Sequence, residues 1–152
     1  MKYSPIDNSL FIKNRKKFID KMEDNSIAFF NSNDNYPVSA DTTLPFEQHR
    51  DLFYLSGINQ EETILLLFKK SKKEFKEIIF LTKPNDLLTH WQGERLDKKK
   101  TLSISGINNI YWLNNLEDLV SDLMKQVKVI YLNKNEHYRA KVETQTREER
   151  FN

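Results

Sequence analysis

Three histidines, two adjacent glutamates, one aspartate and a Trp–Arg segment are the residues of this chain whose types could do chemistry. His49, His90 and His137 lie far apart and lack the close spacing by which histidines share a metal ion. His137 with Glu136 and Glu143 makes one metal candidate, for which a solvated helix surface is the simpler account. Asp51, Glu61 and Glu62 could be gathered around Mg²⁺ as a nuclease gathers its carboxylates, although a local ion pair with Arg50 accounts for Asp51 more simply. The segment His90-Trp91-Gln92-Gly93-Glu94-Arg95-Leu96 places a large aromatic among polar residues beside a glycine. The planar guanidinium of Arg95 suits carboxylates, and an aromatic beside an arginine is what a ligand or partner contact uses. A Trp91 folded back onto the core is the plainer alternative. There is no Gly-rich phosphate loop, no G-x-S-x-G and no H-E-x-x-H.

The chain has 152 residues, enough for one domain with its own core. It contains no cysteine, which removes disulfides and thiolate metal sites and suits a reducing cytoplasm. With 24 basic and 22 acidic residues the net charge is +2, no general drive toward nucleic acid or a membrane surface. No apolar run approaches the roughly 18 residues that span a bilayer, and the N-terminus lacks the apolar region of a signal peptide. A cytoplasmic location is expected.

The elements that must position these residues are organised around 46–68. Ile64 to Phe68 has no polar residue. With Gly57 before it and lysines after it, that run reads as a strand buried on both faces, in the middle of a sheet. Residues 7–23 read as an amphipathic helix capped by Asp7 or Asn8. Phe11, Phe18 and Met22 share one stripe, with Asn14, Lys16, Lys17, Asp20 and Lys21 toward water. Ser26 to Phe30 is a short strand. Residues 31–45, rich in Asn, Asp, Ser and Pro, are a long loop, functional or merely connecting. Glu77 to Leu81 is a second apolar strand that forms an antiparallel hairpin with the first. The lysine cluster between them, 69–76, reads as its solvated turn rather than a phosphate-binding patch.

Asn85 to Trp91 is a short helix, and Glu94 to Lys100 a charged turn or helix. Ile107 to Leu113 is a strand. A helix capped by Asn114 follows, with Leu116, Leu119, Val120, Leu123, Met124 and Val127 on one stripe. Val127 to Leu132 closes the sheet. Residues 134–152 are charged, with few apolar anchors, and read as a solvated helix or a linker leaving the domain.

Two of these stretches together resemble a known family. Phe46-x-x-x-x-Asp51-Leu52-Phe53-Tyr54-Leu55-Ser56-Gly57 with the Glu62-Thr63-Ile64-Leu65-Leu66-Leu67 strand is similar to the N-terminal domain of aminopeptidase P, the Xaa-Pro aminopeptidases of the creatinase/prolidase group. Trp91-Gln92-Gly93-Glu94-Arg95-Leu96 looks like that domain's W-x-G-x-R segment. Glu47 stands where a basic residue is usual, and Thr89 and Asp97 replace the acidic residue and glycine that often flank the tryptophan.

The resemblance implies an α/β fold, a mixed sheet with helices on both faces, of the ribonuclease H-like kind. It makes Asp51, Tyr54, Gly57 and Gly93 structural members of the motif. It makes Trp91, with Arg95, a contact to a substrate cleft or neighbouring subunit. It implies that 1–133 is an N-terminal domain and that 134–152 leads toward an absent C-terminal "pita-bread" domain. There two metal ions, commonly manganese, would sit on Asp, His and Glu ligands and serve cleavage before proline; no cofactor belongs to this chain. The expected role is non-catalytic, serving homo-oligomerisation and restricting the active-site entrance to short X-Pro peptides. A stand-alone binding module of the same fold, or the N-domain of a prolidase- or creatinase-like hydrolase, fits the same pattern. A small metal-dependent nuclease is the alternative from another class.

Overall fold

A computed structural model describes residues 5–39, 42–84 and 95–133. The expected helix at 85–91, Trp91, Gly93 and the 134–152 segment lie outside the described residues. The elements, in chain order, are α1 (Asn8–Lys21), β1 (Ser26–Asn31), β2 (Pro37–Ser39), β3 (Thr42–Thr43), α2 (Arg50–Ser56), β4 (Ile64–Ser71), β5 (Glu74–Leu81), α3 (Lys98–Ser105), β6 (Asn109–Trp112), α4 (Leu116–Met124) and β7 (Val129–Leu132). A 3₁₀ turn at Leu113–Asn115 leads into α4.

The apolar run of β4 is the centre of a five-stranded sheet of order β6-β5-β4-β1-β7. Its neighbours β1 and β5 pair with it antiparallel, bringing Leu66 opposite Phe29 and Ile78. The outer strands add in parallel, β7 on β1 and β6 on β5, so the sheet is mixed. Because successive strand residues point to opposite faces, the continuous run fills two cores. Leu65 and Leu67 join Ala28, Phe30, Ile79 and Leu81 on one face, under Ile19 and Met22 of α1, Leu52 and Leu55 of α2, and Ile107 after α3. Leu66 and Phe68 join Ile27, Ile78 and Phe80 on the other, beneath Leu123 of α4. Helices therefore cover both faces, as the two-sided burial of β4 requires.

Several local expectations change or sharpen. Asn14 is 5 % exposed rather than solvated, because its side chain donates to the Tyr54 carbonyl at 2.9 Å. The 46–57 stretch contains a helix, α2, hidden in the sequence by bulky residues on every side and by its unusual cap, His49, whose Nδ1 accepts from the Asp51 amide. The long 31–45 loop carries the small exposed β2–β3 hairpin. The charged stretch after Glu94 leads into α3, which Asp97 caps through the Lys100 amide. On α4 only Leu123 is buried, and Met124 turns outward.

Candidate functional site

Of the three carboxylates that sequence reasoning grouped, Glu61 and Glu62 meet in one ion-pair cluster, with Arg95, and Asp51 does not join them. Between α2 and β4 the chain passes through Gln60, Glu61 and Glu62. In an extended chain neighbouring side chains point apart, but Glu62 takes a left-handed backbone with φ of 51°. Both carboxylates reach one guanidinium: Arg95 Nη2 lies 2.9 Å from Glu61 Oε1, and Nη1 lies 2.8 Å from Glu62 Oε2. Thr82 Oγ1, just beyond β5, donates to the same Glu62 oxygen at 2.8 Å. Asn35 Nδ2 donates to Glu61 Oε2. Gln60 Oε1 accepts from the Leu96 amide at 2.7 Å, and the Gln60 carbonyl accepts from Gln48 Nε2. The Arg95 hydrogen bond, then that from Thr82, hold the Glu62 carboxyl below its ordinary pKa.

A second polar group supports α2 from beneath. The C-terminal carbonyls of a helix have no partner within it. Here Asn14 donates to Tyr54 O and Arg15 Nη1 to Leu55 O at 2.8 Å. Arg15 is fully buried and its Nε lies 3.1 Å from Glu77 Oε2. Burial lowers its pKa and the Glu77 charge opposes that. Nothing in the sequence marked this pair. A lone arginine on a polar helix face reads as solvated, and its partner lies on β5, far along the chain.

Gly57 ends α2 at φ of 70°, its amide on the Phe53 carbonyl. A Cβ there would run into the Phe11 ring. Tyr54 and Phe53 point outward, 55 % and 37 % exposed. With Phe46, Ile6 and Leu10 they line a groove of about 460 Å³. Asp51 stands apart from the glutamates. Its carboxylate is exposed and lies 3.9 Å from His49 Nδ1 rather than on Arg50. Among the described residues no three His, Asp or Glu side chains are placed to hold a metal ion, and both glutamates are already engaged by Arg95. The donor set does not fit a metal, so no metal-dependent step is derived for these residues.

A mixed sheet, three helices on one face and one on the other, and an arginine clasped by the α2–β4 turn define an α/β domain with the sheet covered on both faces. This chain belongs to the aminopeptidase P N-terminal domain family, whose pattern matches residues 11–131. It is similar to the Xaa-Pro aminopeptidase of Haemophilus influenzae, 29 % identical over 121 residues that make up 80 % of this chain and 28 % of that protein. A putative aminopeptidase P from Bacillus anthracis superposes with a TM-score of 0.83 at 24 % identity, covering 96 % of this chain and 35 % of that one. A zinc-substituted aminopeptidase P of Escherichia coli, in complex with product, superposes with a TM-score of 0.80 at 23 % identity over 90 % of this chain and 31 % of that one. The chain thus spans about a third of the length of such proteins, between 28 % and 35 % in these three.

Proposed function

We propose that this chain serves as the non-catalytic N-terminal domain of a Xaa-Pro aminopeptidase. The observation that carries this is the family match over 11–131, which takes in the five-stranded sheet up to Tyr131 of β7, in a chain that amounts to about a third of the relatives' length. In this reading residues 1–133 form the domain and 134–152 lead toward a C-terminal pita-bread domain. That second domain holds two Mn²⁺, the source of the hydrolytic chemistry. The N-domain packs on it in the cytoplasm, contributes to a homo-oligomer and narrows the entrance so that short X-Pro peptides are favoured. Trp91 and Arg95 belong to the contact with a substrate cleft or neighbouring subunit; Asp51, Tyr54, Gly57 and Gly93 serve the fold.

The test is X-Pro peptide hydrolysis with added Mn²⁺, by this chain alone and by this chain joined to a family catalytic domain. Cleavage only by the joined protein is expected. Cleavage by the 152 residues alone would sink the reading. In the joined protein, Trp91→Ala should lower kcat/KM or shift the oligomeric state, and unchanged values of both would remove Trp91 from that role.

A further inference from the structure

The residue that begins α2 is a histidine, and one atom of it serves two partners. Helix starts are usually capped by Ser, Thr, Asp or Asn, none of which changes charge near neutral pH. Here His49 Nδ1 accepts from the Asp51 amide at 3.3 Å, and the His49 carbonyl accepts the first backbone bond of the helix, from the Phe53 amide at 3.0 Å. The side-chain amide of Asn133, just beyond β7, stands 3.1 Å from the same Nδ1. A ring nitrogen that accepts from a backbone N–H carries no proton, so Asn133 Nδ2 is its second donor and the ring proton sits on Nε2. Both bonds exist only while His49 is neutral. Protonation turns Nδ1 into a donor, leaves the Asp51 amide without its cap and sets Asn133 Nδ2 against an N–H. Histidine is the side chain whose charge ordinarily changes between about pH 5 and 8. The His49 side chain is 27 % exposed, so protons reach it.

The charged groups around it come from three places. Arg50 and Asp51 belong to α2 itself, and Glu47 precedes it. The β1–β2 loop, joined to this corner by Asn33 Nδ2 on the Glu47 carbonyl, carries Asp34. The α2–β4 turn, joined by Gln48 Nε2 on the Gln60 carbonyl, carries Glu61 and Glu62, both held by Arg95. Among the described residues only Asp51 pairs with the ring, its Oδ2 lying 3.9 Å from Nδ1. That carboxylate is 61 % exposed, and so exposed a pair contributes less than a helix cap. The bonds lost on protonation therefore outweigh the pair that is gained. We propose that His49 is a pH-sensitive link between the end of β7 and the start of α2: the neutral imidazole holds both, and the protonated one releases both. Phe53 and Tyr54 stand on this helix, so the wall of the groove they line loosens with the cap.

The test is an NMR titration of the full chain from about pH 8 to about pH 5, the range in which histidine changes charge. The comparison is His49→Asn, which keeps a side-chain acceptor for the Asp51 amide and does not titrate there. The other two histidines remain in both proteins. In the wild type the His49 ring nitrogens, the Asp51 backbone amide and the Asn133 side-chain amide should shift together with one midpoint. The hydrogen-exchange protection factor of the Phe53 amide should fall about fivefold toward acid, the scale of losing a helix cap. In His49→Asn the Asp51 and Asn133 signals should stay still over this range and Phe53 protection should stay level. If circular dichroism shows His49→Asn unfolded, His49→Asp, an equally good cap, takes its place. A ring that titrates while either partner stays still overturns the link. Equal loss of protection in the variant would place the cause in another group and overturn it as well. Protection that rises toward acid would mean that the Asp51 pair outweighs the cap, and the proposal would fall.

Discussion

At the level of single residues, the two left-handed glycines make a graded comparison. Gly57 and Gly106 both sit at φ of 70° behind a helix. An added Cβ at Gly57 would lie 2.9 Å from Phe11 Cδ2 and nearer still to the rest of that buried ring. At Gly106 it would meet Ile12 Cδ1 at 2.7 Å, the far end of a half-exposed aliphatic chain. Both alanines meet the left-handed penalty of about 1–2 kcal/mol, but only the aromatic ring is unable to step aside, which adds about 1–3 kcal/mol of overpacking. Gly57→Ala should therefore lose about 2–5 kcal/mol in urea unfolding and Gly106→Ala about 1–2 kcal/mol. Equal losses would show that Phe11 can move.

The Glu62 carboxyl gives a second prediction at this scale. Its pKa is lowered in the fold from an ordinary 4.5, first by Arg95 and then by Thr82. A depressed carboxyl contributes stability above its unfolded pKa and loses it as pH falls through the folded value. The stability gap between the wild type and Glu62→Gln should be full near pH 7 and close as pH drops below 4.5. The Glu62 side chain is 54 % exposed, so the gap should be small, about 0.2–1 kcal/mol. A gap that widens in acid would contradict the pairing.

Among the elements, α2 depends most on residues outside itself. It has seven residues, too few to persist alone. Its carbonyl end is held by Asn14 and Arg15 of α1, and Arg15 is balanced by Glu77 of β5. Removing one partner leaves the other charge buried and uncompensated, so Glu77→Ala and Arg15→Ala should each cost about 3–5 kcal/mol. Arg15→Met with Glu77→Leu should recover most of that loss in the same urea assay. If the double variant is no better than either single, the pair matters for geometry rather than charge.

This dependence also explains how far the sequence was legible. The β4 run and the β4–β5 hairpin declare themselves through local pattern and stand where that pattern put them; the α4 stripe places its helix, but of that stripe only Leu123 is buried and Met124 turns outward. The helix α2 does not declare itself, since Leu52-Phe53-Tyr54-Leu55 is bulky throughout and its stability comes from α1. Arg95 was readable as a residue suited to carboxylates. Its partnership with Glu61 and Glu62 was not, because it depends on a left-handed residue in the α2–β4 turn and on a return of the chain across more than 30 positions.

For the whole molecule, the sheet order sets a gradient of stability from the centre to the rims. Strand β4 is paired on both sides and buried on both faces, with Leu65, Leu66 and Leu67 fully inaccessible. Strand β7 has four residues, pairs only with β1 in the sheet, and leaves Ile130 and Leu132 at 46 % and 72 % exposure. The β2–β3 hairpin is exposed throughout. Amides open either locally or with the whole fold, and buried, doubly paired strands report the global event. Native-state hydrogen exchange should therefore find the β4 amides slowest, those of β6 and β7 intermediate, and those of β2 and β3 fastest. Truncation should follow the same gradient: Leu66→Ala is expected to cost about 2–5 kcal/mol, whereas Leu132→Ala should stay within about 0.5 kcal/mol. The parallel pairing of β7 with β1 links residues about a hundred positions apart, so its contacts carry the largest loop-closure cost in the sheet. Protection of β7 equal to that of β4 would mean that the rim opens only with the core and that the fold is one cooperative unit to its edge.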